Sequence, residues 1–235
     1  MSTVLIECEG YLIQKRAFKN TGLIVTLLTE NGELLSGIVH QGQKKNLALF
    51  QPYFINAYLR EGLSLIHQLE AVKAGTSLNG EALFCGLYVN ELIGRLGKGL
   101  KDAPDVYNAY QQVIDTLGSD GDKPREHPLR TFEFCLLEQL GFYMDFGVDV
   151  DGHSIVASER YLFSPDSGLK RVLDDNAYGA VSLLKGSDLL ALIIKPLIDL
   201  SALKLAKWLN RQRINFLLEG KPLVSRQLFN RKTFS

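Results

Sequence analysis

LIVTLLTENGELLSGIVH, residues 23–40, holds two apolar runs, Leu23 to Thr29 and Leu34 to His40, on either side of Glu30-Asn31-Gly32-Glu33. Asn-Gly readily takes the positive φ angles of a tight turn, so the stretch predicts a β-hairpin. Working outward, Gly10 to Arg16 reads as a strand before it. Tyr53 to Arg60 and Leu63 to Val72 read as two strands after it, with Gly62 at their turn. Five short strands before Gly75, with a longer loop after the third, predict a small closed barrel of the oligonucleotide-binding (OB) type. An SH3-like barrel fits the strand pattern nearly as well.

Past Gly75 the apolar period lengthens from two to about three and a half. Leu83, Leu87, Val89, Leu92, Ile93 and Leu96 stripe a helix from Gly80 to Leu96. Pro104 to Leu117 is a second helix, with proline suited to its first turn. Pro128 to Leu140 is a third, stopped by Gly141, with Leu129, Phe132, Leu136 and Leu140 facing inward. Alternation returns from Ser154 to Val172 around the turn Ser164-Pro165-Asp166-Ser167-Gly168, which predicts a hairpin among the helices. Helices at Asp188 to Ile194 and Ser201 to Leu218 follow. In the last, Leu205, Trp208, Leu209 and Phe216 form the apolar stripe, while Lys204, Lys207 and Arg211 share another face. The predicted fold class is α+β. A five-stranded OB-fold β-barrel over residues 1–78 precedes a mainly α-helical domain over residues 79–235, with a β-hairpin insertion near residues 153–173.

Charge is sorted along this chain. It carries 26 charges of each sign, yet residues 201–235 hold eight Lys or Arg against one acid, Glu219, while residues 76–200 hold eleven bases against nineteen acids. The neutral total therefore hides a terminus suited to a polyanion. With no basic flank and apolar run at its start and no apolar stretch near the roughly 20 residues of a membrane span, the chain is expected to be cytoplasmic and free of the membrane. Cys8, Cys85 and Cys135 are odd in number and dispersed, which predicts reduced thiols rather than a disulfide framework or metal knuckle.

Near-motifs for chemistry each miss a required part. Asp145-Phe146-Gly147 has the metal-binding tripeptide of protein kinases, but no Gly-rich loop with a following Lys and no His-Arg-Asp loop accompanies it. Asp145, Asp149, Asp151 and His153 lack the spacing of a calcium loop and read as a solvated turn. Gly94, Gly97 and Gly99 lie near Lys98 and Lys101 without the Gly-Lys-Ser/Thr of a phosphate cradle, and read as a helix end. No nucleophile elbow or histidine ligand spacing is present. The expectation is a protein that is not an enzyme and needs neither cofactor nor metal. What remains is binding. Lys15, Arg16 and Lys19 at the end of the first strand and Lys44 and Lys45 after the third are candidate phosphate contacts, with Tyr53, Phe54 and Tyr58 as candidate ring faces.

Three stretches carry a family resemblance: Gly86-Leu87-Tyr88-Val89-Asn90-Glu91-Leu92-Ile93; Leu129-Arg130-Thr131-Phe132-Glu133 running on to Leu140-Gly141-Phe142; and Gly220-Lys221-Pro222-Leu223-Val224-Ser225-Arg226-Gln227-Leu228-Phe229. With Phe50-Gln51-Pro52-Tyr53, they resemble in order and spacing the bacterial recombination mediator family RecO. That resemblance implies an OB barrel followed by a helical domain, binding of single- and double-stranded DNA, and annealing of complementary strands. It also implies partnership with RecR, contact with the acidic C-terminal tail of the single-stranded-DNA-binding protein, help in loading RecA, and a nucleoid-associated location. Arg130 matches the family position that helps hold that tail, a role a guanidinium suits by pairing a carboxylate in bidentate fashion. An intramolecular pair with Glu126 or Glu133 is the other reading of Arg130.

Two departures qualify the resemblance. Many members carry four zinc-binding cysteines after the third helix, whereas Ser154 to Val172 has none, so the chain falls in the zinc-free branch. The loop Gln41-Gly42-Gln43-Lys44-Lys45-Asn46 holds fewer bases than in relatives. Lys204, Lys207, Arg211, Lys221 and Arg226 are therefore expected to supply much of the attraction for DNA or for an acidic tail. The chain is expected to be monomeric alone. The competing reading is a protein-interaction scaffold whose barrel has lost DNA binding.

Overall fold

The hairpin forms as β2 (Gly22–Thr29) and β3 (Leu34–Val39), with cross-strand partners from Leu23–Val39 to Leu28–Leu34. Its turn differs from the expected one in that, of Asn31 and Gly32, only Gly32 takes a positive φ, of 77°. The loop spans four residues, closed by Gly32 N–H on Thr29 O and Thr29 N–H on Glu33 O, so a single left-handed residue suffices. That residue must be glycine on a second ground, because a Cβ there would stand 1.9 Å from the carbonyl oxygen of Ala103.

In this computed structural model, which describes residues 4–18, 22–40, 47–119, 125–173, 183–194 and 199–230, β1 (Val4–Phe18), β4 (Pro52–Leu59) and β5 (Ser64–Ala71) complete the barrel. It closes in the order β1-β2-β3-β5-β4, with β3 and β5 parallel, which is the OB-fold. Leu12, Val25, Leu27, Leu35, Val39, Tyr53, Ile55, Ile66 and their neighbours fill it. The 15-residue β1 pairs with both β2 and β4, and an irregularity between Leu12 and Gln14 lets it turn the corner.

Among the described residues, six α-helices follow: α1 (Gly80–Leu96), α2 (Pro104–Gly118), α3 (Glu126–Gln139), α4 (Gly186–Ile194), α5 (Leu200–Leu217) and α6 (Val224–Asn230). A 3₁₀ turn at Gly97–Gly99 separates α1 from α2. The predicted insertion is the hairpin β6 (Arg160–Ser164) and β7 (Gly168–Val172), extended by β8 (Leu184–Lys185) in the order β7-β6-β8. No helix among the described residues is long and apolar enough to cross a membrane.

The contacts divide the chain into two compact units, Met1–Pro128 with Pro222–Ser235, and Leu129–Lys221. This division does not coincide with the strand-to-helix change near residue 78, because α1, α2 and α6 group with the barrel. Three neighbours on α1 explain why. A Cβ on Gly86 would stand 2.9 Å from the Phe50 ring, so only glycine allows that approach. Asn90 donates through Nδ2 to the Ile13 carbonyl of β1 and accepts from the Tyr110 hydroxyl of α2, both at 2.9 Å. Glu91 accepts from the backbone N–H groups of Val224 and Ser225 and from the Ser225 hydroxyl, which caps α6 from another helix.

Burial alone would raise the Glu91 carboxyl pKa, but the Ser225 and Val224 hydrogen bonds and the Arg95 charge hold it below its ordinary value of 4.5. A carboxylate depressed in the folded state stabilises above its unfolded pKa and loses that contribution as pH falls through the folded one. Urea unfolding should therefore show stability falling with acid below about pH 4.5, and Glu91→Gln should flatten that part of the profile. An unchanged acid limb in the variant would remove Glu91 from the account.

In the unit Leu129–Lys221, the core joins Ile155, Tyr161, Phe163, Leu169, Leu189, Leu192, Ala202, Ala206 and Leu209. The predicted stripe of α5 holds at Leu205, Trp208 and Leu209, which pack into this core, and is corrected at Phe216. Leu209 is fully buried, Leu205 and Trp208 are partly so, and Phe216 is 49% exposed. The buried face is Ala202, Ala206, Leu209, Asn210, Arg213 and Ile214, because the small Ala202 and Ala206 let the helix approach closely. Arg213 sits in it by donating to the carbonyls of Phe142 and Tyr143 and by lying 5.7 Å from the Phe163 ring centre.

Candidate nucleic-acid interface

A groove of about 560 Å³ lies over the outer face of β1, β2 and β3. Gln14 and Arg16 of β1, Ile24 and Thr26 of β2, and Leu34 and Ser36 of β3 form its floor. Thr26 and Ser36 are cross-strand partners with hydroxyls 3.3 Å apart. Gly62 and Leu63 border the groove from the β4–β5 turn, while Gly94, Gly97, Lys98, Leu100 and Lys101 border it from the end of α1 and beyond. Its charged lining is Arg16, Lys98 and Lys101 against Glu33. The face formed by strands two and three is the one on which OB barrels take oligonucleotides.

The basic cluster at the end of β1 is split across two faces. Lys15 pairs with the core residue Val25 and donates from Nζ to the Leu47 carbonyl at 2.6 Å, which ties down the segment after β3. Arg16, one residue on, faces the groove. Lys19, Lys44 and Lys45 lie outside the described residues. Of the candidate rings, Tyr53 is buried and hydrogen-bonded to the backbone of Ala48, and Phe54 is half-buried. Tyr58 is 37% exposed beside His67, edge to face.

On α5, Lys204, Lys207 and Arg211 are all exposed on one face, as the spacing predicts. Lys221 is exposed and paired with Glu219 at 2.9 Å, and Arg226 of α6 lies 5.9 Å from the Tyr88 ring centre. Arg130 is 5% exposed and forms a 2.8 Å ion pair with Glu133, which is 1% exposed and also accepts from Asn210 of α5. Glu133, one of the two acids offered by sequence, is thus paired with it. An external carboxylate reaching Arg130 would have to compete with it. Asp149 and His153 shape the turn before the insertion. Buried Asp149 accepts from the backbone N–H groups of Asp151 and His153, and the carboxylates and imidazole of the three residues stand within 4.8 Å of one another.

Residues 77–222, more than half of the chain, match the family model described as the C-terminal part of recombination protein O. The chain is 36% identical over 226 residues to the DNA repair protein RecO of Pseudomonas aeruginosa, covering 94% of each protein. It is 33% identical to that of Pseudomonas entomophila, covering 95% of this chain and 96% of the relative. The chain belongs to the RecO family. In this RecO member, the stretch from Gly86 to Glu91 holds the barrel, α2 and α6 together, so its residue types answer to packing rather than to a ligand. The groove cations Lys98 and Lys101 belong to the stretch that reads from sequence as a helix end rather than a phosphate cradle. In the RecO sequence they stand in Gly97-Lys98-Gly99-Leu100-Lys101, where both lysines are exposed while Gly97 and Leu100 are buried.

Proposed function

We propose that this chain is a non-enzymatic recombination mediator of DNA repair. It binds single- and double-stranded DNA, anneals complementary strands and, with RecR, helps to load RecA onto DNA coated by the single-stranded-DNA-binding protein. The observation that carries this reading is the groove over β1, β2 and β3, a polar floor with a basic rim on the face where OB barrels hold nucleic acid. Family membership and the exposed bases of α5 support it. The surface of Lys204, Lys207 and Arg211 suits a second polyanion, duplex DNA or the acidic protein tail. Arg130 serves that surface indirectly, since its partner Glu133 is bonded to Asn210 on the same helix.

Titration with labelled single-stranded DNA tests the reading. Affinity should fall with salt by about 0.7 per phosphate contacted, so a footprint of roughly four contacts gives a log–log slope near −3. Absence of binding at low salt, or a slope near zero, would leave the scaffold reading in its place.

A further inference from the structure

The groove is not built by the barrel alone. Two of its three cations, Lys98 and Lys101, come from the segment that follows α1, and they stand on the rim bordering a floor that includes Arg16. All three side chains are exposed. Between them the floor offers the Gln14 amide and the Thr26 and Ser36 hydroxyls, with Ile24, Leu34 and Leu63 as apolar surface. Bare backbone lines part of the same groove. A Cβ added at Gly62 or Gly94 would meet nothing within 4 Å, so a strand can lie against the backbone there. The cations supply the charge that tracks the backbone of a single strand bound without sequence preference, and the hydroxyls, amide and aliphatic surface stand where such grooves commonly carry aromatic stacking platforms. A groove of about 560 Å³ has room for a short stretch of a single strand.

We infer that Lys98 and Lys101, with Arg16, grip the phosphates of single-stranded DNA in this groove, so that the DNA-binding site extends beyond the barrel onto the end of α1. The inference rests on the DNA-binding function proposed above and locates it. Glu33, the acid in the lining, opposes the grip and limits affinity.

The test compares the full chain with Lys98→Glu/Lys101→Glu, with Gly94→Phe and with Glu33→Gln, each titrated with labelled oligothymidine at several salt concentrations. The double charge reversal should weaken binding on the order of tenfold at low salt and reduce the slope by about 1.4, two phosphate contacts at about 0.7 each. Gly94→Phe should weaken binding by filling the groove, and it removes a helix-weakening glycine from α1 at a position where an added Cβ meets nothing within 4 Å. Glu33→Gln should tighten binding. Thermal melts of each variant verify that the fold is retained. If the parent binds with the expected slope while the double variant and Gly94→Phe bind as it does, the inference is overturned and the DNA-binding function stands. If the parent itself fails to bind, the proposed function falls and takes the groove assignment with it.

Discussion

Arg130→Ala is expected to destabilise the chain by about 3–5 kcal/mol, because it strands the Glu133 carboxylate, 1% exposed, without its countercharge. Whole domains are stable by only about 5–15 kcal/mol, so much of the margin would go. Chemical denaturation followed by far-UV circular dichroism would register it as a large fall in midpoint. Removing both charges should recover most of the loss. In Arg130→Met/Glu133→Gln the glutamine oxygen still accepts from Asn210, and neither position leaves the other's charge unpaired. A single variant as stable as the parent would show that water reaches Glu133. The consequence for function is direct. Loss of peptide or DNA binding in Arg130→Ala reports on the fold of α3 and α5, so the double variant is the informative one for the family role implied for Arg130.

Asn90→Ala should cost about 2–4 kcal/mol, since it orphans two buried groups at once, the Ile13 carbonyl and the Tyr110 hydroxyl. Tyr110 is fully buried, and burial pushes its hydroxyl pKa well above the ordinary 10, so it stays a neutral donor that must find an acceptor. Tyr110→Phe should be milder, about 1–2 kcal/mol, because the Ile13 bond survives. Amide hydrogen exchange near Ile13 should rise in Asn90→Ala, as the tie between β1 and α1 is lost. A change under about 1 kcal/mol in Asn90→Ala would show that this polar pin does not hold the barrel to its helices.

Chain order and local periodicity are enough to read most of the elements. The Asn31-Gly32 turn, the period change after Gly75 and Pro104 at the head of α2 are local signals, and the strands and helices they predict are present. The seven residues of α6 carry too little periodicity to read as a helix, and the group that caps them, Glu91, is far away in sequence. The α5 stripe departs from the structure at Phe216 for a related reason. Hydrophobicity favours Phe216 over Ala202 and Ala206, but close approach favours the alanines, and a buried arginine is not an apolar signal at all.

By itself the sequence determined the class of the fold, the family and the sorting of charge toward the C-terminus, because these depend on residue type and short-range spacing. Only the tertiary structure decided what each charge does. Lys15 and Arg16 are adjacent and chemically alike, yet the irregularity between Leu12 and Gln14 sets their faces, and one anchors a carbonyl while the other lines the groove. Arg130 and Lys98 are both basic residues on or just past helices, but one is sealed against Glu133 and the other stands over an open polar floor. The physical reason is that a charge acts through its solvation and its neighbours, and both are set by packing between elements distant in the chain.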